Sequence, residues 1–323
     1  MNVKEIIADI NKKLKDKGGI KQVLFVACGG SQAAITPGYF LLNSEAKNIS
    51  TNIYNSNEFV HSTPKSLDER TVCIICSLNA TAETVEAVKV ANKLGAITIA
   101  MTGSSTTEMA KNGQYVVVYS NGDDQVYSDS NQANVLRLGF EILNQTEGYA
   151  HYDEAMAAYS KIDKLIADAK VNLLPKMKAF GEKFKDDKTF IVMASGSMYG
   201  TAYTMACCHL MEMQMKDAIT MHSGEYFHGP FETTDKDEAI ILLKNVGRNR
   251  PLDNRVETFL KKYGEHYEII DAEEVGVQEL GENVAEFFAS VVMIPVERYY
   301  VYQMSLLTGY DMDNRRYMWK VEY

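Results

Sequence analysis

Gln22-Val23-Leu24-Phe25-Val26-Ala27-Cys28-Gly29-Gly30-Ser31 is an uncharged apolar run that breaks into two glycines and a hydroxyl. Its first six residues predict a strand covered on both faces, as in parallel sheets. The glycines predict a turn into a helix from about Ala33. Strand, glycine turn and helix together aim backbone N–H groups and a helix dipole at an anion. The spacing is neither G-x-G-x-x-G nor a Walker loop, and every doubly wound fold has such turns. The pattern recurs. Thr189 to Ala194 is a second apolar run, ending in Ser195-Gly196-Ser197-Met198-Tyr199-Gly200. Val26-Ala27-Cys28-Gly29-Gly30-Ser31 aligns with Met193-Ala194-Ser195-Gly196-Ser197, which predicts a duplicated α/β domain.

The segments between the repeats alternate in the same way. Residues 3–17 predict a first helix closed by Gly18-Gly19. A strand near Asn52–Tyr54 is followed by a polar segment, Asn55–Glu58. Thr71–Cys76 predicts a buried strand opening into Ser77-Leu78-Asn79-Ala80-Thr81-Ala82-Glu83-Thr84, a second hydroxyl-rich turn, and a helix over about 84–94. Two such turns in one sheet can face each other at the carboxyl ends of the strands, where open α/β sheets bind ligands. Strands at 95–102 and 116–119 and a helix over 131–146 complete the first half. The pattern changes at Glu147-Gly148-Tyr149-Ala150-His151, before a long helix over 152–184 interrupted near Pro175. The expected domains are 1–150, 151–310 and a tail, 311–323. The second half predicts a helix over 201–216, strands at 218–221, 239–243 and 267–270, and helices near 252–263 and 281–307. The last is apolar enough on one side to pack between domains or subunits. The tail is rich in Tyr, Trp and Arg, which predicts that it docks.

A chain of 323 residues fits about two domains, with 46% hydrophobic and 24% charged residues. A net charge of −10 without a long basic run argues against nucleic acid or an anionic membrane as partner. An anionic substrate must then be held by local donors. No run of about 18 apolar residues predicts a membrane span. Residues 1–18 lack an apolar signal core, and five cysteines suit a reducing compartment, so a cytoplasmic location is expected. Cys73 and Cys76 are spaced C-x-x-C inside a strand, where positions three apart face opposite sides. They read as buried thiols, as do Cys207 and Cys208, and no metal site is expected.

The chemistry-bearing residues lie in Met211-Glu212-Met213-Gln214-Met215 and in Ser223-Gly224-Glu225-Tyr226-Phe227-His228-Gly229-Pro230-Phe231-Glu232. Glu212, among methionines and a leucine, is expected on a buried helix face, where a carboxyl pKa rises. His228 precedes Gly-Pro, a fixed turn, and a histidine titrates near neutrality. A general base and a general acid working at neutral pH need these properties.

Together these motifs resemble the sugar isomerase (SIS) family. They are the Ala-Cys-Gly-Gly-Ser turn, the hydroxyl-rich second turn, and Gly-Glu-Tyr-Phe-His-Gly-Pro-Phe-Glu with Glu212 sixteen residues before His228. Met-Glu-Met-Gln (211–214), His-Ser-Gly-Glu (222–225), 145–153 and the tail 315–323 look like its Amadori-product deglycases, the 6-phosphofructose-asparagine and fructoselysine 6-phosphate deglycases. The resemblance covers essentially the whole chain. It implies an α/β fold of two tandem SIS domains, each a mostly parallel, flavodoxin-like sheet flanked by helices. It implies that Glu212 is the proton-shuttling base and that His228 is the acid assisting ring opening. Lys320 would close on the sugar, Ser31, Ser77 and Thr81 with Gly30 would hold the phosphate, and Glu225 would orient the site. It also implies a homodimer or a dimer of dimers, with the histidine supplied by the neighbouring subunit. The 77–84 turn is one residue shorter than is usual in the family and lacks its glycine, so a positive φ would fall on Ala80.

The expected enzyme hydrolyses a 6-phosphofructose–amino acid to glucose 6-phosphate and the free amino acid, with no cofactor. An aldose–ketose isomerase or glucosamine-6-phosphate deaminase on the same scaffold would use the same proton shuttle. A non-catalytic phosphosugar-binding regulator would need neither Glu212 nor His228. With no nucleophilic cysteine directly after Met1 and no glutaminase or helix-turn-helix segment, neither the complete synthase nor a sugar-sensing transcription factor is expected.

Overall fold

The structure, a computed structural model, describes residues 1–323 except Asn121, Asp123 and Tyr323. The chain divides into two compact units, Met1–Asp163 and Lys164–Tyr323. The division falls inside a helix rather than at the Gly148 turn.

The first unit begins with α1 (Val3–Leu14), which turns Ile6, Ile7, Ile10 and Leu14 inward and is closed at its start by an Asn2/Glu5 capping box. Then come β1 (Gln22–Ala27), α2 (Gly29–Glu45), β2 (Ser50–Asn55), α3 (Ser56–His61), β3 (Thr71–Cys76), α4 (Ala82–Lys93), β4 (Ile97–Thr102), α5 (Glu108–Asn112), β5 (Tyr115–Val118), α6 (Asn131–Thr146) and the start of α7 (Tyr152–Asn172). The strands form one parallel sheet in the order β2-β1-β3-β4-β5, the doubly wound order of flavodoxin-like sheets. The inner strands β1, β3 and β4 are buried at every position, which is why they read as unbroken apolar runs. Ala27 pairs with Cys76, and Cys76 with Met101, so the turns after β1, β3 and β4 emerge at one edge.

The second unit contains α8 (Leu174–Phe184), β6 (Thr189–Ala194), α9 (Tyr199–Tyr203), a π-helix (Thr204–Met213), β7 (Asp217–His222), β8 (Ile240–Lys244), α10 (Arg250–Tyr263), β9 (Tyr267–Asp271), α11 (Ala272–Val275) and α12 (Ala285–Thr308). Its parallel sheet runs β7-β6-β8-β9, the first four places of the other sheet. Among the described residues no helix is long and apolar enough to cross a membrane.

Three expectations are corrected. The helix after β1 starts at Gly29 and not near Ala33, because Gly29 makes the turn alone with φ +54°. The polar segment Asn55–Glu58 is where the Asn55 side chain accepts from the N–H groups of Asn57 and Glu58 and opens α3. The expected helix over 201–216 is a short α-helix continuing into the π-helix. The last long helix is buried on most of its circumference and not on one side alone.

Candidate functional site

In the first unit the two turns at the carboxyl ends of β1 and β3 are built from hydroxyls. Gly30 and Ser31 lie in the first turn of α2. Ser31 is half-buried, and at the end of β3 the Cys76 thiol donates to the Tyr119 hydroxyl at 3.7 Å. Burial pushes the Cys76 thiol up to about 12. Ser77 is buried, and its Oγ accepts from the Thr81 N–H at 3.1 Å. Thr81 Oγ1 bonds Thr84 Oγ1 at 2.9 Å, and Thr84 donates to Ser56 at 2.9 Å. Ala80 takes φ +55°, the strained conformation the missing glycine foretold. A cavity of about 420 Å³ opens beside this turn, lined among others by Leu78, Asn79, Ser104, Thr107 and Tyr119.

The helix ends of this unit differ in one respect. Side chains of Asn2, Asn55, Thr107 and Ser130 cap α1, α3, α5 and α6. No side chain caps α2 or α4, the helices that follow the two turns. Their first N–H groups are left to be satisfied from outside the helix, the condition for anion binding.

The repeat in the second unit is closed by the chain itself. Ser195 donates to the Asn249 carbonyl, and Ser197 to the Glu286 carbonyl. The Glu286 carboxylate is buried and accepts from the Arg248 N–H at 3.0 Å, with Arg248 Nε at 2.5 Å. Gly247, at φ +79°, is required there, since a Cβ would come within 2.6 Å of Glu286. A carboxylate of the chain thus takes up an N–H of the turn after β8.

The second unit also carries Glu212, Glu225, His228 and Lys320. Glu212 lies near the end of the π-helix, with its side chain 20% exposed and Oε1 2.7 Å from Arg315 Nε. The expected buried helix face is only partly formed, because Met211 points to solvent, 45% exposed, and a guanidinium takes the place beside the carboxylate. Arg315 Nη1 donates to the carbonyls of Met312 at 3.1 Å and Asn314 at 2.7 Å, and its guanidinium lies 5.4 Å from the Trp319 ring centre. Lys320 donates to the Arg315 carbonyl. The tail docks through Met312 and Arg315, while Tyr317 and Trp319 stay largely exposed. Gln214 donates to the Tyr310 carbonyl at 2.9 Å and ties the tail to the end of the π-helix.

One turn earlier, His209 Nδ1 lies 2.9 Å from Glu297 of α12, both buried. Burial pushes the Glu297 carboxyl up and His209 pulls it back. Cys207 and Cys208 are half-buried rather than buried, because the π-helix turns them to its rim. A hydrogen bond from Cys208 draws the Cys207 thiol down to about 6.

Glu225 and His228 are exposed on the turn after β7. Tyr226 beneath them is fully buried. The turn is anchored by Asp253, which accepts from Ser223 Oγ at 2.6 Å and from the Asn245 N–H at 3.0 Å. Among the described residues no hydrogen bond or ion pair joins His228 or Glu225 to Glu212. Sequence reasoning missed Arg315, hidden in a tail of several charges, and the hydroxyls of Ser104 and Thr107. No group of three His, Cys, Asp or Glu side chains among the described residues could hold a metal.

The model of the SIS domain matches residues 19–137. The chain is 34% identical to the fructosamine deglycase FrlB of Bacillus subtilis (strain 168), over 98% of this chain and 97% of that protein. It is 22% identical to the fructoselysine 6-phosphate deglycase of Escherichia coli (strain K12), over 93% and 86% of the two chains. A crystal structure from Salmonella typhimurium LT2, described as a phosphosugar isomerase, superposes with a TM-score of 0.94 at 38% identity and covers 100% of this chain and 98% of that one. The chain belongs to the SIS-domain family, among its fructosamine deglycases.

Proposed function

We propose that this enzyme hydrolyses 6-phosphofructose–amino acid conjugates to glucose 6-phosphate and the free amino acid. The observation that carries the phosphate requirement is the pair of uncapped, hydroxyl-rich helix starts at α2 and α4. Ser31, Gly30, Ser77 and Thr81 would hold the phosphate there through N–H and hydroxyl donors. The filled second copy supports a single phosphate site per chain, and its sheet order supports a second, specialised SIS domain.

In this reading His228 assists opening of the sugar ring. Glu212 takes a proton from carbon 1, giving an enaminol, and returns one to carbon 2. The product is the aldimine of glucose 6-phosphate, which water cleaves to the aldehyde and the amine. Proton transfers and an imine suffice for this sequence. Glu225 orients the turn that carries His228, and Lys320 closes on the sugar from the tail. The exposure of His228 supports its delivery to the Glu212 of a neighbouring copy, in a cytoplasmic homodimer or dimer of dimers. Five cysteines without a disulfide among them fit a reducing compartment.

The test is glucose 6-phosphate release from a panel of 6-phosphofructose–amino acid conjugates, with glucosamine 6-phosphate and fructose 6-phosphate beside them. Turnover of a conjugate, lost in Glu212→Ala, is the expected result. Turnover of glucosamine 6-phosphate alone would make the protein a deaminase, and conversion of fructose 6-phosphate alone an isomerase. Binding without turnover of anything would make it a regulator.

A further inference from the structure

We infer that Arg315 binds the α-carboxylate of the amino acid joined to the sugar, and that this contact sets the preference for amino-acid conjugates over those of uncharged amines. The inference rests on the deglycase reading of the site.

The donors of Arg315 are unevenly used. Its side chain is 10% exposed. Nη1 is spent on two carbonyls of its own tail. Nε lies 2.7 Å from Glu212 Oε1 but is buried without a well-aligned acceptor, so the pair is held by charge. Nη2 has no hydrogen bond among the described residues. A buried guanidinium with open donors is a costly arrangement unless something else completes it.

The substrate brings a suitable group to that place. Glu212 must approach carbon 1, which bears the nitrogen of the amino acid. The carboxylate carbon is three bonds from carbon 1, within about 4 Å at bond lengths of about 1.5 Å. A guanidinium in contact with the base is therefore within reach of the carboxylate. Of the other cations of this part of the tail, Lys320 already donates to the Arg315 carbonyl and Arg316 is exposed.

The charges favour the contact most during reaction. At rest Glu212 and Arg315 neutralise each other. When Glu212 accepts the carbon 1 proton its charge disappears, and the guanidinium is left facing the substrate carboxylate. The attraction is stronger in the transition state than in the bound ground state, so it raises kcat as well as lowering KM. A planar guanidinium matches a carboxylate better than an ammonium does.

The experiment compares a 6-phosphofructose–amino acid conjugate with the same conjugate as its primary amide, equal in shape but uncharged. In the wild type, kcat/KM should favour the carboxylate by about 10–100-fold, the scale of a charge-assisted hydrogen bond. In Arg315→Gln that ratio should fall to within about threefold of unity, and Arg315→Lys should lie between them. The ratio is independent of any general loss of activity. Should the Gln variant not fold, an intermediate ratio in Arg315→Lys supports the inference and an unchanged ratio overturns it. A wild type indifferent to the amide overturns it, as does an Arg315→Gln variant that keeps the wild-type ratio, since Arg315 would then only steady Glu212. Wild-type inactivity on every conjugate overturns the deglycase reading and the inference with it, whereas turnover with an unchanged ratio removes the inference alone.

Discussion

Glu212 and Arg315, 2.7 Å apart, must be tested by substitutions that respect their pairing. Glu212→Gln keeps an amide oxygen for the guanidinium and removes the proton acceptor. Turnover should fall by about 10²–10⁴-fold while the melting temperature barely moves, as read by steady-state kinetics and thermal unfolding. Glu212→Ala should cost stability as well, because it strands a buried cation. Cys207 offers a second test at this scale. Its thiol is drawn down to about 6 by the bond from Cys208, so thiolate is present above about pH 6 and lost as the pH falls through it. Alkylation of Cys207 by iodoacetamide, followed by mass spectrometry, should already be level at pH 7.5. A rate still rising steeply between pH 7 and 9 would exclude the lowered thiol, since an unperturbed cysteine titrates near 8.5. Cys73 and Cys76, each fully buried, should stay unlabelled in the folded protein.

Single buried contacts place whole elements around the site. Asp253 of α10 holds the turn after β7 and the start of the segment after β8 by accepting from Ser223 and Asn245. Burial pushes its carboxyl up, and those two bonds pull it back. Asp253→Ala leaves both donors without an acceptor and should cost about 1–3 kcal/mol for each, visible in denaturant unfolding. It should also loosen the segment carrying His228 and lower kcat. An unchanged unfolding midpoint would show that the turn is held by Tyr226 alone. The π-helix is fixed in a comparable way, by His209 on Glu297 and by Gln214 on the tail. Such segments are rare and gather at functional sites, and here one ends beside Glu212.

For the whole molecule the decisive matter is whether one chain completes its own site. Glu212 and His228 share a unit, yet no hydrogen bond or ion pair joins them among the described residues. In the proposed dimer with exchanged histidines, inactive Glu212→Gln and His228→Ala chains should complement each other. Mixing equal amounts under exchange conditions should restore about a quarter of wild-type activity, since half the dimers carry one intact site. No recovery, with exchange verified by differently tagged chains, would place the histidine in the same chain as its base.

Much of this organisation was legible in the sequence for a local reason. A strand of a parallel sheet is buried on both faces, so β1, β3, β6 and β8 appear as apolar runs, and glycine after the run marks the turn. The two similar parallel sheets were announced by those same turns, and the strained Ala80 followed from a missing glycine. The π-helical register was not legible, because Thr204–Met213 is apolar along most of its length and its spacing favours no period. Nor was the partner of Glu212. Arg315 is one of several charges in the tail, and only the packing of that tail against the π-helix selects it. Glu286 likewise fills the second turn from the distant helix α12. Composition, turn chemistry and periodicity are short-range terms, and they determined the elements and the candidate residues. Which charges meet depends on contacts between segments far apart in the chain, and the tertiary structure alone decided that a guanidinium lies beside Glu212.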